Sequence, residues 1–239
     1  MSGESNPESE FIIGIPTGHH AYATFYTNFF RWIAGHSVMP VFAESNRVDV
    51  NRSEIIATAL RLKKNIIFLD SDALPQTNYT DVCKLLLEDF KTYDIVVAPV
   101  RGVPGNILIQ PLTGDFKLPQ HQADFKPFEI KAGSFTFAGI SYNLISKLKP
   151  LSQYGLVDGR TMPLYVAYSN LTSEEYAFCH KAKKQYKSKV ACDPRIKVLH
   201  YKEIPLEGMI SVEEQEERRK KQAEAMKAKG IPDNTQLKL

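Results

Sequence analysis

The sequence predicts an α/β fold of Rossmann-like type: a central, mostly parallel, twisted sheet with helices on both faces. Three observations predict it. Short apolar runs alternate with stretches of helical period from residue 11 to residue 98. The runs are near-continuous in Ile, Val and Phe, as strands buried on both faces are. The stretches between them space their apolar residues three and four apart, as a helix packed along one face requires. Strand and helix repeated in this way build a parallel, doubly wound sheet.

The elements follow in order. Phe11-Ile12-Ile13-Gly14-Ile15 reads as the first strand, closed by Pro16-Thr17-Gly18. Tyr22, Phe25, Tyr26, Phe29 and Ile33 mark a helix that ends near Gly35. The aromatic residues there, Trp32 among them, read as core at this spacing. Val38 to Ala43 is the second strand. Asn51 caps a helix carrying Ile55, Ile56, Ala59 and Leu60, with Glu54 three residues on. The third strand ends at Asp70. Asn78 caps a helix with Val82, Leu85, Leu86 and Phe90 on one face, and Ile95-Val96-Val97-Ala98 is the fourth strand. No GxGxxG follows the first strand, which disfavours dinucleotide binding by that fingerprint.

Beyond residue 98 the pattern loosens. Residues 101–135 are rich in Gly, Pro and Gln, and read as short strands and a pocket-shaping loop. Phe135 to Gly139 reads as a strand, Ser141 to Leu148 as a short helix and Pro150 to Asp158 as loop. Thr172 or Ser173 caps a helix running to about Tyr186. Lys189 to Cys192 and Ile196 to His200 are short strands. Residues 1–10 read as a disordered tail, 11–210 as a single domain, and 211–239 as a charged, solvated helix and tail opened by a Ser211–Glu214 capping box.

Composition narrows the function classes. The 239 residues are 43% hydrophobic and 24% charged, as in ordinary soluble proteins. A net charge of +3 gives no case for nucleic acid as a partner. Cys83, Cys179 and Cys192 form no CxxC pair, and so sparse a set fits a reducing compartment. Residues 1–10 lack the apolar core of a signal peptide, and no stretch approaches the roughly 20 apolar residues of a membrane span. The expectation is a cytoplasmic protein with no transmembrane segment.

The chemistry concentrates where Ile66-Ile67-Phe68-Leu69 runs into Asp70-Ser71-Asp72. Both carboxylates emerge at the carboxyl end of a strand, the edge where open α/β sheets bind ligands. Neighbouring carboxylates repel unless a positive charge lies between them. A hard divalent cation that also holds phosphate oxygens meets that need. Two other readings compete. One is a solvated turn. The other is the nucleophile loop of haloacid-dehalogenase-like phosphatases, with Asp70 attacking phosphorus; but Leu74 stands where Thr or Val is usual, two strands come earlier, and no later GDxxxD cluster appears.

Further along come Thr172-Ser173-Glu174-Glu175-Tyr176-Ala177-Phe178-Cys179, then Asp193-Pro194-Arg195-Ile196, then Val198-Leu199-His200. Together with Asp70-Ser71-Asp72 they resemble the nucleotide-sugar glycosyltransferases of the GT-A fold. Such enzymes show an Asp-x-Asp motif, a Gly-containing strand and helix, a Glu-Asp-x-x-Phe-Cys-like helix and a late His, in that order. The resemblance covers most of residues 11–202, although residues 99–135 carry no signal of it.

The resemblance implies transfer of a sugar from a nucleoside-diphosphate donor to the hydroxyl of a glycan, glycolipid or protein. Asp72 would bind Mn²⁺ or Mg²⁺, with His200 as a further ligand. Imidazole favours Mn²⁺. Asp70 would join them at the metal, through a bound water, or reach the ribose. Ser71 would lie along the donor, and Lys202 would add positive charge beside it. Glu175 would deprotonate the acceptor, with Glu174 as the second candidate. The family's usual Asp is replaced here by the longer Glu175, and Thr172-x-x-Glu175 is also a capping box. Pro16 and Thr17 would hold base and ribose, and Glu44 would read the base. Arg52, in a reversed Arg-Asn-like pair with Asn51, would touch the diphosphate or else lie on a surface helix. Gly139, Arg101, Tyr165 and Tyr168 would face the acceptor. A non-catalytic sugar or nucleotide binder with the same fold is the remaining alternative.

Overall fold

The computed structural model describes residues 6–17, 23–100, 107–113, 125–151, 154–157, 160–168 and 172–200. Arg101, Lys202 and the charged segment 211–239 lie outside the described residues. Contacts divide the chain into two units after Tyr201, and the described residues all belong to the first.

The elements are β1 (Phe11–Thr17), α1 (Ala23–Trp32), β2 (Pro40–Glu44), α2 (Val48–Leu62), β3 (Asn65–Leu69), β4 (Ala73–Pro75), α3 (Tyr79–Asp89), β5 (Ile95–Val97), β6 (Ile109–Pro111), β7 (Phe128–Gly133), β8 (Phe137–Ile140), α4 (Tyr142–Ile145), β9 (Tyr154–Val157), β10 (Arg160–Pro163), α5 (Glu174–Tyr186), β11 (Val190–Cys192) and β12 (Val198–His200). Eight strands form one sheet in the order β2-β1-β3-β8-β5-β11-β7-β6. The ladders β1–β2, β1–β3 and β5–β11 are parallel. β8 lies between β3 and β5 and runs antiparallel to both. The α/β expectation is therefore met, as a mixed rather than wholly parallel sheet. Among the described residues no helix is long and apolar enough to cross a membrane.

Strand pleating divides the core between the two faces. Ile12, Ile66 and Phe68 meet α2, α4 and α5 through Ile55, Ile56, Ala59, Leu144, Ile145, Phe178 and Cys179. Their sequence neighbours Phe11, Ile13, Ile67 and Leu69 meet α1 and α3 through Phe25, Phe29, Tyr79, Val82 and Leu86. Trp32 belongs to that second cluster and donates its Nε1–H to the Thr77 carbonyl at 2.8 Å. Gly14 permits the close seat of α2, since a Cβ there would lie 2.3 Å from Ile55 Cγ2.

Several local expectations change. Pro7–Glu10 forms a 3₁₀ helix capped by the Asn6 side chain, so that part of the amino-terminal segment is ordered. Glu8 ties it down, since its carboxylate accepts from Thr80 Oγ1 at 2.6 Å and lies 2.7 Å from His36 Nδ1. Helix α2 starts at Val48, so Asn51 is inside its first turn rather than at its cap. Residues 154–157, expected as loop, form β9 and pair antiparallel with β10 at 160–163. The Asn78 cap forms as expected, with its side chain accepting from Thr80 N at 2.9 Å.

Candidate active site

The parallel run β2-β1-β3 brings Thr17, Glu44 and Asp70 to one edge of the sheet. Reversal of β8 brings Ser134, Phe135 and Thr136 to the same edge, because Phe137 pairs with Leu69. Asp70 N–H donates to the Thr136 carbonyl, and Ala73 N–H donates back to the Asp70 carbonyl, both at 3.0 Å. A turn over Asp70-Ser71-Asp72 results, with all three side chains half-buried.

The chain then enters β4, which pairs antiparallel with β12, Ala73 opposite His200. This register sets His200 beside Asp72, with Nε2 3.0 Å from Oδ2. The other oxygen, Asp72 Oδ1, is buried without a hydrogen-bond partner. A buried carboxylate oxygen left unpaired carries a desolvation cost. Among the described residues no group of three or more His, Cys, Asp or Glu side chains gathers closely enough to hold a metal ion. Among the described residues the arrangement at this turn is one imidazole beside one carboxylate that keeps an unpaired oxygen.

Arg52 departs most from expectation. It is not a surface residue: it is 2% exposed. Its Nη2 donates to Asp70 Oδ1 at 2.9 Å, while Nη1 donates to Glu174 Oε1 and approaches Glu175 Oε2 at 3.4 Å. The guanidinium carbon stands 5.5 Å from the Phe135 ring centroid, a cation–π arrangement. Burial alone would loosen the Arg52 proton, but Asp70, Glu174 and Glu175 outweigh it and bind that proton more tightly. The sequence held the signal for this. Arg52 shares a helix face with Ile55, Ile56 and Ala59, and a charge on a buried face needs buried partners.

The glutamates open α5, whose cap is Ser173. The capping-box alternative fails for that reason, since three residues beyond Ser173 stands Tyr176. Glu175 instead turns into the site, where its Oε1 accepts from Ser134 Oγ at 3.4 Å, and Ser134 Oγ lies 3.0 Å from Thr136 Oγ1. Burial pushes the Glu174 carboxyl up to about 7, opposed by Arg52 and reinforced by the Glu175 charge. Burial likewise raises Asp70, again opposed by Arg52, with the Asp72 charge adding to the rise. Ser134, Phe135 and Thr136 carried no motif. Their place follows from the direction of β8, which the alternating pattern did not disclose.

The remaining candidates separate. Pro16 and Thr17 end β1, and Thr17 Oγ1 donates to the Ala43 carbonyl at 3.1 Å. Asn51 Nδ2 donates to the Thr17 and Ser45 carbonyls at 3.0 and 3.3 Å, tying together the carboxyl ends of β1 and β2. Glu44, last in β2, is exposed at the same edge. Gly139 is a correction: it lies within the sheet between β3 and β5, and a Cβ there would lie 2.5 Å from Leu86 Cδ2, so it serves helix packing rather than an acceptor. Tyr165 is half-buried and packs against the core. Tyr168 is 55% exposed and stays available for stacking.

A second polar cluster holds the approach to β12. Arg195 Nη2 donates to Asp89 Oδ1 at 2.7 Å, Nη1 to Glu88 at 3.2 Å, and Nε to Asp193 Oδ1 at 3.0 Å. Burial lifts Asp89 from 3.8 to about 7, with the Asp193 charge reinforcing it and Arg195 opposing. The folded state therefore holds a proton that the unfolded chain releases between those values. This contribution is full below pH about 4 and is lost as pH rises through about 7. Asp89→Asn is expected to flatten the fall in unfolding free energy across that window, read by urea titration at several pH values. An unchanged slope would assign the dependence to another group.

Comparison with known proteins bears on the fold. No family model matches the sequence, and no curated protein matches it. Among solved structures, the chain is similar to A197 from STIV, with a TM-score of 0.59 and 15% identity over 81% of this chain and 86% of that one. It is also similar to GalNAc-T7, solved with UDP, GalNAc and Mn²⁺, with a TM-score of 0.47 and 14% identity over 82% of this chain. The match spans 38% of the GalNAc-T7 chain. At these identities the likeness to A197 is one of fold.

Proposed function

We propose that this protein is a metal-dependent glycosyltransferase that moves a sugar from a nucleoside-diphosphate sugar to an acceptor hydroxyl by a single inverting displacement. The observation that carries the reading is the Asp72–His200 pair, with its unpaired carboxylate oxygen, at the binding edge of the sheet. Carboxylate and imidazole together suit Mn²⁺, and the carboxylate alone suits Mg²⁺. When bound there, such a cation would neutralise the charge of a departing diphosphate. Asp70, in the same turn, lies toward the ribose side of the donor. Thr17 and Glu44, at the ends of β1 and β2, border the space for the base.

Glu175 takes the acceptor proton as the hydroxyl oxygen attacks the anomeric carbon. Its contacts with Arg52 and Ser134 hold the carboxylate in one orientation. The acceptor is a glycan, glycolipid or protein hydroxyl, with Tyr168 as a stacking surface. Asp70 as a phosphoryl nucleophile fits less well, because its Oδ1 is engaged by a buried guanidinium, which lowers the electron density an attacking oxygen needs.

A thermal-shift panel of nucleoside diphosphates and sugar nucleotides, each with MnCl₂ and MgCl₂, tests the reading. Stabilisation by one nucleotide in the presence of metal is expected, and the absence of any metal-dependent shift across the panel overturns it. Glu175→Gln is expected to leave donor affinity unchanged and to lower the transfer rate by about 10²–10⁴. Full transfer by that variant would remove Glu175 from the base role.

A further inference from the structure

His200 reaches Asp72 on a short piece of sheet. β4 and β12 form a separate two-stranded ladder of three residue pairs, and none of Val198, Leu199 and His200 is buried. A two-stranded ladder this short is marginal in water. A slip of one residue would turn the His200 ring to the opposite face. The register therefore needs an anchor outside the ladder, and the chain just before β12 supplies one. Asp193 N–H donates to the Val97 carbonyl and Arg195 N–H to Asp193 Oδ1, both at 2.9 Å. Each side-chain nitrogen of Arg195 then meets a different carboxylate. Nε donates to the Asp193 oxygens at 3.0 and 3.1 Å, Nη2 to Asp89 Oδ1 at 2.7 Å, and Nη1 to Glu88 Oε2 at 3.2 Å. We propose that Arg195 is the positioning residue for His200: it pins the segment between β11 and β12 to the end of α3, and so fixes the register in which His200 meets Asp72. The functional meaning rests on the metal-site reading, but the anchoring stands on these contacts alone.

The anchor reaches both strands of the ladder. Thr77, two residues beyond β4, donates its Oγ1–H to the Arg195 carbonyl at 3.4 Å and accepts there from Lys197 N–H at 2.8 Å. Gln76 N–H donates to the Lys197 carbonyl at 2.7 Å. Trp32 holds the Thr77 carbonyl, and Ile196 is buried among Phe29, Tyr79 and Val82. A shift of Arg195 thus moves Lys197, and with it His200 three residues on. The chemistry calls for arginine. Asp193 is 0% exposed and Asp89 3%, and buried carboxylates need a buried cation. A planar fork also fixes the direction of three bonds at once, whereas a lysine would supply the charge without the direction.

Two-bond ¹H–¹⁵N NMR of the full chain labelled at histidine, free of metal and nucleotide and at a single pH, tests this. The His200 ring signals, assigned by their loss in His200→Gln, are compared with those in Asp72→Ala, where the contact is absent. In Arg195→Gln they are expected to move at least half-way to the Asp72→Ala positions. Arg195→Lys, which keeps the charge and loses the fork, is expected to move them in the same direction. With MnCl₂ added, the Kd for the ion is expected to rise about 10–100-fold in Arg195→Gln. Native signal positions in a folded Arg195→Gln protein of lowered Tm would leave Arg195 a structural role only and overturn the proposal, as would an unchanged Mn²⁺ Kd. If Arg195→Gln does not fold, Arg195→Lys decides on the same comparison. The NMR comparison contains no metal, so a native protein that fails to bind Mn²⁺ removes the glycosyltransferase reading and not the anchoring.

Discussion

Asp72→Ala is expected to abolish the Mn²⁺-dependent part of nucleoside-diphosphate affinity, a loss of at least ~100-fold in Kd, or about 2.7 kcal/mol. The size follows from the donor count. At the acidic turn Asp72 and His200 are in contact, so removing the carboxylate takes away one of the two proposed ligands. Calorimetry with and without MnCl₂ checks it, and equal affinities in the native protein under the two conditions would remove the metal site. Stability should move the other way. Asp72 Oδ1 is buried and unpaired, so the variant discards a desolvation cost and should not melt lower than the native chain in the absence of metal. That opposition, binding lost while folding is kept, separates a ligand from a structural carboxylate.

The second large effect is on folding. Arg52→Met conserves much of the side-chain volume, so it isolates charge from cavity formation. It leaves Glu174, which is 4% exposed, without its cation. Breaking a buried ion pair from one side costs about 3–5 kcal/mol. For a domain of this size that corresponds to a fall in Tm of roughly 6–20 °C by calorimetry. Adding Glu174→Gln to the variant removes the stranded charge and should restore part of the loss. A Tm within about 2 °C of the native value for Arg52→Met alone would mean that the buried network contributes little.

Most of the first half of the fold was legible because its strands and helices differ in period. The alternation through Val97, the Asn78 cap and the aromatic packing of α1 all follow from local pattern. What was not legible was direction. Phe137-Ala138-Gly139-Ile140 reads equally well as a parallel or an antiparallel strand, since a strand buried on both faces shows no preferred sense. Yet its reversal is what delivers Ser134 and Thr136 to the site. Gly139 was misjudged for a related reason: a glycine in a strand signals close approach but not by what, and here it is Leu86. In the site, Asp70, Asp72, Glu175 and His200 were readable as an order of residue types. Arg52 was readable as sharing the apolar face of α2 but its partners were not, because helical spacing shows which residues share a face and not which carboxylates that face meets.

The pairs that assemble the site are distant in sequence. Arg52 and Glu174 are separated by 122 positions, and Asp72 and His200 by 128. Local elements such as α2 and the β1–β2–β3 ladders form without them. Closing such wide loops is the slow part of folding, undertaken after nearer contacts are in place. The acidic turn and Arg52 are synthesised before α5 and β12, so Glu174, Glu175 and His200 can join them only after most of the chain has been made. A chain stalled before residue 174 therefore lacks Glu174, Glu175 and His200, and lacks β11, the strand that joins β5 to β7 in the sheet.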